Sequence, residues 1–271
     1  MRELTEAHRP GPQHRWNNGN MRFRLFFACM LVYSLAAAQD PPFLTEPGWQ
    51  PLLNGKDLTG WRAQDPSKPH EWMAVRGIRF DRWYGPKQLS GAGEGGDRIL
   101  NGRNGRTQNL VTEKKFGDIE LYLEFMIPRG SNSGVYLHGL YEVQILDSFG
   151  YADLTTGDCG AIYHRWINNG PVGGSPPRVN AMKNAGEWQS YHIWFRAPRF
   201  DASGKKIENA RILRVMFNGV MVQDNVEIDG GTRAHMDIPE APENPIMLQG
   251  DHGPVAFRNI YWRPLGPLPW R

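Results

Sequence analysis

Cysteine is close to absent: the chain has two in 271 residues. Cys29 lies in an N-terminal leader, so Cys159 stands alone downstream and no intramolecular disulfide can form there. A domain of this length has core enough to do without one. No His and Asn stand at motif spacing around Cys159, so it reads as a small buried hydrophobe rather than a thiol nucleophile.

An excess of charge of one sign is also lacking. The net charge of +3 comes from 31 basic and 28 acidic residues. The leader carries five of the basic and two of the acidic ones, which leaves the rest formally neutral. That argues against a phosphate backbone or an anionic membrane as partner: no nucleic acid and no membrane anchor are expected.

Long apolar runs are missing as well. The longest, Leu25–Leu35, is too short to span a bilayer. It follows Met21, Arg22 and Arg24 and precedes Ala36-Ala37-Ala38. That order of positive start, apolar centre and small residues is a secretory signal peptide over 21–38, which implies a periplasmic or secreted protein. Residues 1–20 precede it and read as a spurious extension that includes His8, His14 and Trp16. No Cys follows the cleavage point, which argues against a lipid anchor. Residues 39–48 form a Pro-rich lead-in, and 49–271 a single domain.

Other absences narrow the chemistry. Gly85–Arg106 is rich in glycine and charge, but no Gly-Lys-Ser/Thr ends it and no helix follows. It reads as a surface loop near the site rather than a phosphate cradle. No HxH or HExxH metal signature occurs, and neither does an internal repeat. No long segment has a 3.6-residue period.

What remains is β-rich. Short alternating runs separated by Gly and Pro recur, the pattern of a sandwich or jelly roll. Asp118–Ile127 puts Ile119, Leu121, Leu123, Phe125 and Ile127 on one face. Asn218-Gly219 between β-rich runs marks a type I′ hairpin. The most informative stretch is Ser131–Asp147, SNSGVYLHGLYEVQILD, which reads as two strands meeting at a bend. With the bend near Leu140, His138 faces Glu142 and Tyr136 faces Gln144, so one surface carries all four polar groups. If Asp118–Ile127 precedes them in the same sheet, Glu124 joins that surface. The face is either a binding or catalytic floor or an ordinary solvated outer surface.

The chain resembles the 3-keto-disaccharide hydrolase family. The likeness rests on LLNGKDLTGW (52–61), FGDIELYLEFMI (116–127), SNSGVYLHGLYEVQILDS (131–148), GAIY (160–163), AGEWQSYHIWFRAPRF (185–200), FNGVMVQDN (217–225) and LQGDHGPVAFRNIYWRPL (248–265). It implies a concanavalin-like jelly roll of two antiparallel sheets and activity on 3-keto glycosides, in partnership with a sugar 3-dehydrogenase. Among site residues it carries over Glu142, Gln144 and Asp147, and then Asn132, Asp251 and His252. The chain departs from the family's pattern at His138, at His192 and in the spacing after Gln249.

Such chemistry needs a base at C2, charge stabilisation for the resulting enolate and an acid for the leaving oxygen. Glu142 or Asp147 is the candidate base, with His138 or His252 as alternatives. Asn132, Tyr136, Gln144, Tyr163, Trp166, Gln249 and Asp251 are candidate substrate contacts, and Trp194 is a further candidate stacking platform. His138, Glu142 and His252 could hold a divalent cation; no organic cofactor is expected. Two other readings stay open: an ordinary two-carboxylate glycosidase and a non-catalytic carbohydrate-binding module.

Overall fold

The computed structural model describes residues 40–268 and Trp270. The stretches read as a signal peptide (21–38) and as an extension before it (1–20) lie outside the described residues. No described helix is long and apolar enough to cross a membrane. The only described α-helix is one turn, Pro42–Thr45.

Two antiparallel sheets pack face to face as a jelly-roll sandwich. The larger has the order Val220–Ile228, Ala210–Phe217, Gln189–Arg196, Ile119–Met126, Ala256–Pro264, Arg98–Leu100, Met73–Arg79, Ser90–Glu94. Gln50–Pro51 pairs with the far end of the Ala256–Pro264 strand. The smaller sheet runs Trp61–Ala63, Leu110–Phe116, Asn244–Leu248, Asn132–Leu137, Tyr141–Leu146. Period-two alternation explains the layering, because it gives each strand one apolar face. Leu121, Leu123, Phe125, Ile193 and Phe195 from the large sheet meet Val135, Leu137, Tyr141, Val143 and Ile145 from the small one in a single buried cluster. Each such side chain stabilises the fold by roughly 1.5–3 kcal/mol through loss of apolar surface to water.

The Asn218-Gly219 turn forms as the sequence predicts. Phe217 pairs with Val220, and both turn residues have positive φ. A second turn of this kind, Asn168-Asn169, makes a short hairpin of Arg165–Ile167 and Gly170–Val172 inside a stretch that reads as loop. Cys159 is buried, its sulfur 3.2 Å from the Tyr191 hydroxyl, and burial pushes the thiol up to about 12.

Three expectations need correcting. Asp118–Ile127 and the 132–146 hairpin do not share a sheet. Pro128-Arg129-Gly130 carries the chain from the large sheet to the small one, with Gly130 at positive φ. Glu124 therefore lies on the outer face of the large sheet, 2.5 Å from Arg258 Nε and 3.1 Å from the Tyr122 hydroxyl and Asn259 Nδ2. The glycine-rich stretch is not simply a loop, since Ser90–Glu94 and Arg98–Leu100 are strands in it. Finally, the hairpin pairs Tyr136 with Glu142 and Gly134 with Gln144, two residues out from the expected register.

Candidate functional site

The outer face of the small sheet carries a cavity of about 300 Å³ lined by Asn132, Tyr136, Glu142, Gln144, Tyr163, Arg233, Ala234, Gln249 and His252. The 132–146 hairpin forms its floor. Tyr136, Glu142 and Gln144 alternate with the core residues Val135, Val143 and Ile145, so all three point to the cavity side.

Glu142 is 2 % exposed. Its carboxylate lies over Gly134, where a Cβ would meet Oε1 at 2.1 Å. Burial pushes the carboxyl up to about 8; the Tyr136 hydrogen bond works the other way, and the Asp251 charge adds to the rise. The Tyr136 hydroxyl stands between Glu142 and the Arg233 carbonyl, to which it donates at 3.2 Å. A phenol has one proton, so it serves either the Arg233 carbonyl or ionised Glu142, and the bond to the carboxylate is the one that works against the rise. The backbone N–H of Glu142 donates to Thr232 Oγ1 at 3.1 Å, and Thr232 in turn bonds the Leu140 carbonyl. This ties the 229–236 segment over the hairpin.

That segment supplies Arg233. Its guanidinium sits 4.1 Å above the Trp166 ring, and its backbone N–H donates to the His164 carbonyl. Tyr163 lines the cavity with its ring stacked on His164, centroids 4.2 Å apart.

The Gly250–Pro254 turn presents His252 to the cavity. Asn101, fully buried, donates to the carbonyls of Gly250 and Gly253 at 3.0 and 2.8 Å. Gly105, at positive φ, packs so closely that a Cβ would lie 1.9 Å from the Gly253 carbonyl carbon. His252 Nδ1 is 2.5 Å from Asp251 Oδ1. The Asp251 hydrogen bond and charge raise the imidazole above its usual value against partial desolvation. Partial burial pushes the Asp251 carboxyl up, but the His252 hydrogen bond and charge outweigh it and hold it low.

Of the residues read from the sequence, Asn132, Tyr136, Glu142, Gln144, Tyr163, Gln249 and His252 converge on this cavity, with Asp251 behind His252. Others do not. His138 is in the turn at positive φ, with its ring 4.9 Å from Phe195 on the core side. Neither of its nitrogens reaches hydrogen-bond geometry, although the backbone of Gly117 and Phe116 lies beside the ring. Burial lowers this imidazole to about 4, so it is neutral and remote from Glu142. Asp147 accepts from the Gly130 N–H at 2.8 Å and lines a different hollow, with Arg82, Arg129 and Phe149. Trp166 is covered on one face by Arg233 and supports it rather than walling the cavity. Trp194 lies on the outer face of the large sheet, stacked 3.7 Å from His192.

The cation set His138, Glu142 and His252 is therefore not assembled. Among the described residues no three His, Cys, Asp or Glu side chains converge as ligands.

Sequence reasoning missed Arg233, Ala234 and Gly134. The first two sit in an aperiodic loop with no readable pattern. Gly134 did leave a signal: a glycine interrupting a strand marks a close approach of another group.

Comparison with known proteins agrees with this fold. A protein of Parabacteroides distasonis ATCC 8503 proposed to be a glycosyl hydrolase is 28% identical, at TM-score 0.58, with 81% of this chain and 84% of that one covered. A second such protein from the same organism is 22% identical, at TM-score 0.49, over 80% of this chain and 99% of the other. No curated protein matches the chain. The profile of the 3-keto-alpha-glucoside-1,2-lyase-like domain matches residues 48–263, which contain both sheets and every residue of the cavity. The chain belongs to the 3-keto-alpha-glucoside-1,2-lyase-like domain family.

Proposed function

We propose that this protein is a carbohydrate-active enzyme that cleaves 3-keto glycosides by elimination across C1 and C2, followed by hydration. One observation carries the reading: a buried carboxyl raised to about 8, at the floor of a polar cavity whose rim holds a histidine–aspartate pair. Family membership and the resemblance to a proposed glycosyl hydrolase support a sugar as the substrate.

A C3 ketone acidifies the C2 hydrogen. Ionised Glu142 takes that proton, and the electron pair delocalises onto the C3 oxygen as an enolate. A carboxyl raised toward neutrality is a stronger base than an ordinary one once ionised, and sits near the optimum for proton transfer at physiological pH. The enolate then re-forms the ketone and expels the C1 substituent, leaving a C1–C2 double bond. His252, whose proton affinity Asp251 raises, supplies the proton for the departing oxygen. Water adding across the double bond completes a net hydrolysis. Arg233, on the cavity wall, adds positive charge that favours the anionic intermediate.

The ketone itself must come from an oxidoreductase acting at C3 of a sugar. The leader read at 21–38 would place the enzyme in the periplasm or outside the cell.

The test is to incubate the purified protein with a glucoside and with its 3-keto derivative and follow release of the aglycone. The reading requires cleavage of the keto compound and no cleavage of the plain glucoside. The reverse result would identify an ordinary glycosidase. Binding of both without turnover would identify a binding module.

A further inference from the structure

We infer that Gln144 is the hydrogen-bond donor to the C3 oxygen of the substrate, and that it stabilises the enolate formed there. The inference rests on the 3-keto elimination reading and adds a residue role to it.

Every polar group of Gln144 but one is paired within the protein. Gln144 is 2 % exposed and lies on the cavity floor. Its backbone N–H donates to the Ala161 carbonyl at 2.9 Å. Its carbonyl accepts from the Gly160 N–H at 2.9 Å and from the Tyr191 hydroxyl at 2.5 Å. Its Oε1 accepts from the backbone N–H of Ile145 at 2.9 Å. That last bond fixes the orientation of the carboxamide, because an N–H can pair with the amide oxygen and not with the NH₂ group. Nε2 is therefore the end that is left, and no hydrogen bond among the described residues uses it. A donor that no protein group pairs, on the floor of the cavity, is open to a ligand there.

Its place relative to Glu142 fits the chemistry. The two residues are two apart on one strand, so their side chains leave the same face about 7 Å apart at the backbone. The C2 hydrogen and the C3 oxygen of a 3-keto sugar are on adjacent carbons, so a base over one and a donor to the other must stand side by side. Directly opposite Gln144 is Gly134, over which the Glu142 carboxylate lies, so no side chain of the facing strand separates base from donor at that position. Nε2 can only donate, and an oxygen that gains negative charge rewards a donor more as the reaction proceeds. The gain therefore falls on the transition state rather than on binding.

The experiment uses Gln144→Met, which keeps the length and loses the donor, and Gln144→Glu, which also keeps an acceptor for the Ile145 N–H. Exchange of the C2 hydrogen for deuterium is followed by NMR on a 3-keto sugar lacking a leaving group at C1, alongside turnover of a 3-keto glucoside and thermal unfolding. Both variants should lose about 10²-fold or more in C2 exchange and in kcat. KM should stay within several-fold, and a folded, cooperative melt should be kept by at least Gln144→Glu. Exchange within threefold of the parent in either folded variant overturns the assignment while leaving the elimination reading standing. A parent protein that neither exchanges nor cleaves any 3-keto sugar overturns both. A loss seen only as a raised KM makes Gln144 a ground-state contact and also overturns it.

Discussion

The Glu142 carboxylate occupies the space that a side chain at Gly134 would need, with Oε1 only 2.1 Å from where a Cβ would stand. The two residues are on neighbouring strands, two residues out of direct register, since Gly134 pairs with Gln144 and Tyr136 with Glu142. A glycine in mid-strand weakens a sheet. Here it makes room for the candidate base.

Gly134→Ala should therefore push Glu142 out of place at little further cost to the fold. A displacement of about 1 Å costs on the order of 10²-fold in rate. We expect kcat on a 3-keto glucoside to fall by about that factor while circular dichroism keeps the β spectrum. Parental kcat in the Gly134→Ala variant would show that the carboxylate's position is not critical.

Glu142 also predicts a stability change with a definite sign. Its carboxyl is raised to about 8 in the folded protein, from an ordinary value of 4.5 when unfolded. The unfolded chain thus releases this proton at lower pH than the folded one. Between roughly pH 4.5 and 8 the group destabilises the fold progressively, and the cost is constant above that window. Glu142→Gln should abolish turnover yet raise the melting temperature at pH 8 relative to the parent, with the difference vanishing near pH 4. An equal melting temperature at both pH values would mean that the carboxyl is not raised.

The rate should depend on pH with two limbs. Glu142 must be ionised as base, so one limb of kcat/KM should lie near pH 8, far above a normal carboxylate. His252 must be protonated as acid, which sets the other limb. Asp251 holds the imidazole above its ordinary value through the 2.5 Å contact. Asp251→Asn should therefore move the His252 limb to lower pH, at some cost in maximal rate. A profile with neither limb moved would remove His252 from the acid role.

His138 yields the opposite kind of prediction. It is buried against Phe195 and neutral, its imidazole lowered to about 4 from 6.5. The unfolded chain takes up its proton near pH 6.5 and the folded one only near 4, so the stability it allows is full above 6.5 and is lost across that window as pH falls. His138→Phe should remove this acid sensitivity and leave kcat within a few-fold of the parent. A hundredfold loss of kcat with an intact fold would return His138 to the site.

Much of the site is legible in the chain, but unevenly. Alternation in Tyr141–Leu146 correctly separates Glu142 and Gln144 from Val143 and Ile145, because a strand's side chains have no choice but to alternate. The same alternation fails at His138: strand Asn132–Leu137 ends before it, and its positive φ turns the ring inward. Asp147 meets a similar limit, lying just past the end of Tyr141–Leu146 and tied to Gly130. Alternation says nothing about where a strand stops.

By itself the sequence determined the β class, the faces of the long strands, the turn at Asn218-Gly219 and the two cavity carboxamide and carboxyl positions, Gln144 and Glu142. These follow from local geometry: period two within a strand, and backbone freedom at Asn and Gly. Only the tertiary structure decided which groups meet. It brought Arg233 and His252 across to the hairpin floor from loops about 90 and 110 residues further along the chain, as chain closure between distant segments costs little extra with length. It sent Glu124 to the other sheet and sealed His138 in the core. Burial, which raises Glu142 and lowers His138, is a property of the packed sandwich, and no spacing in the chain encodes it.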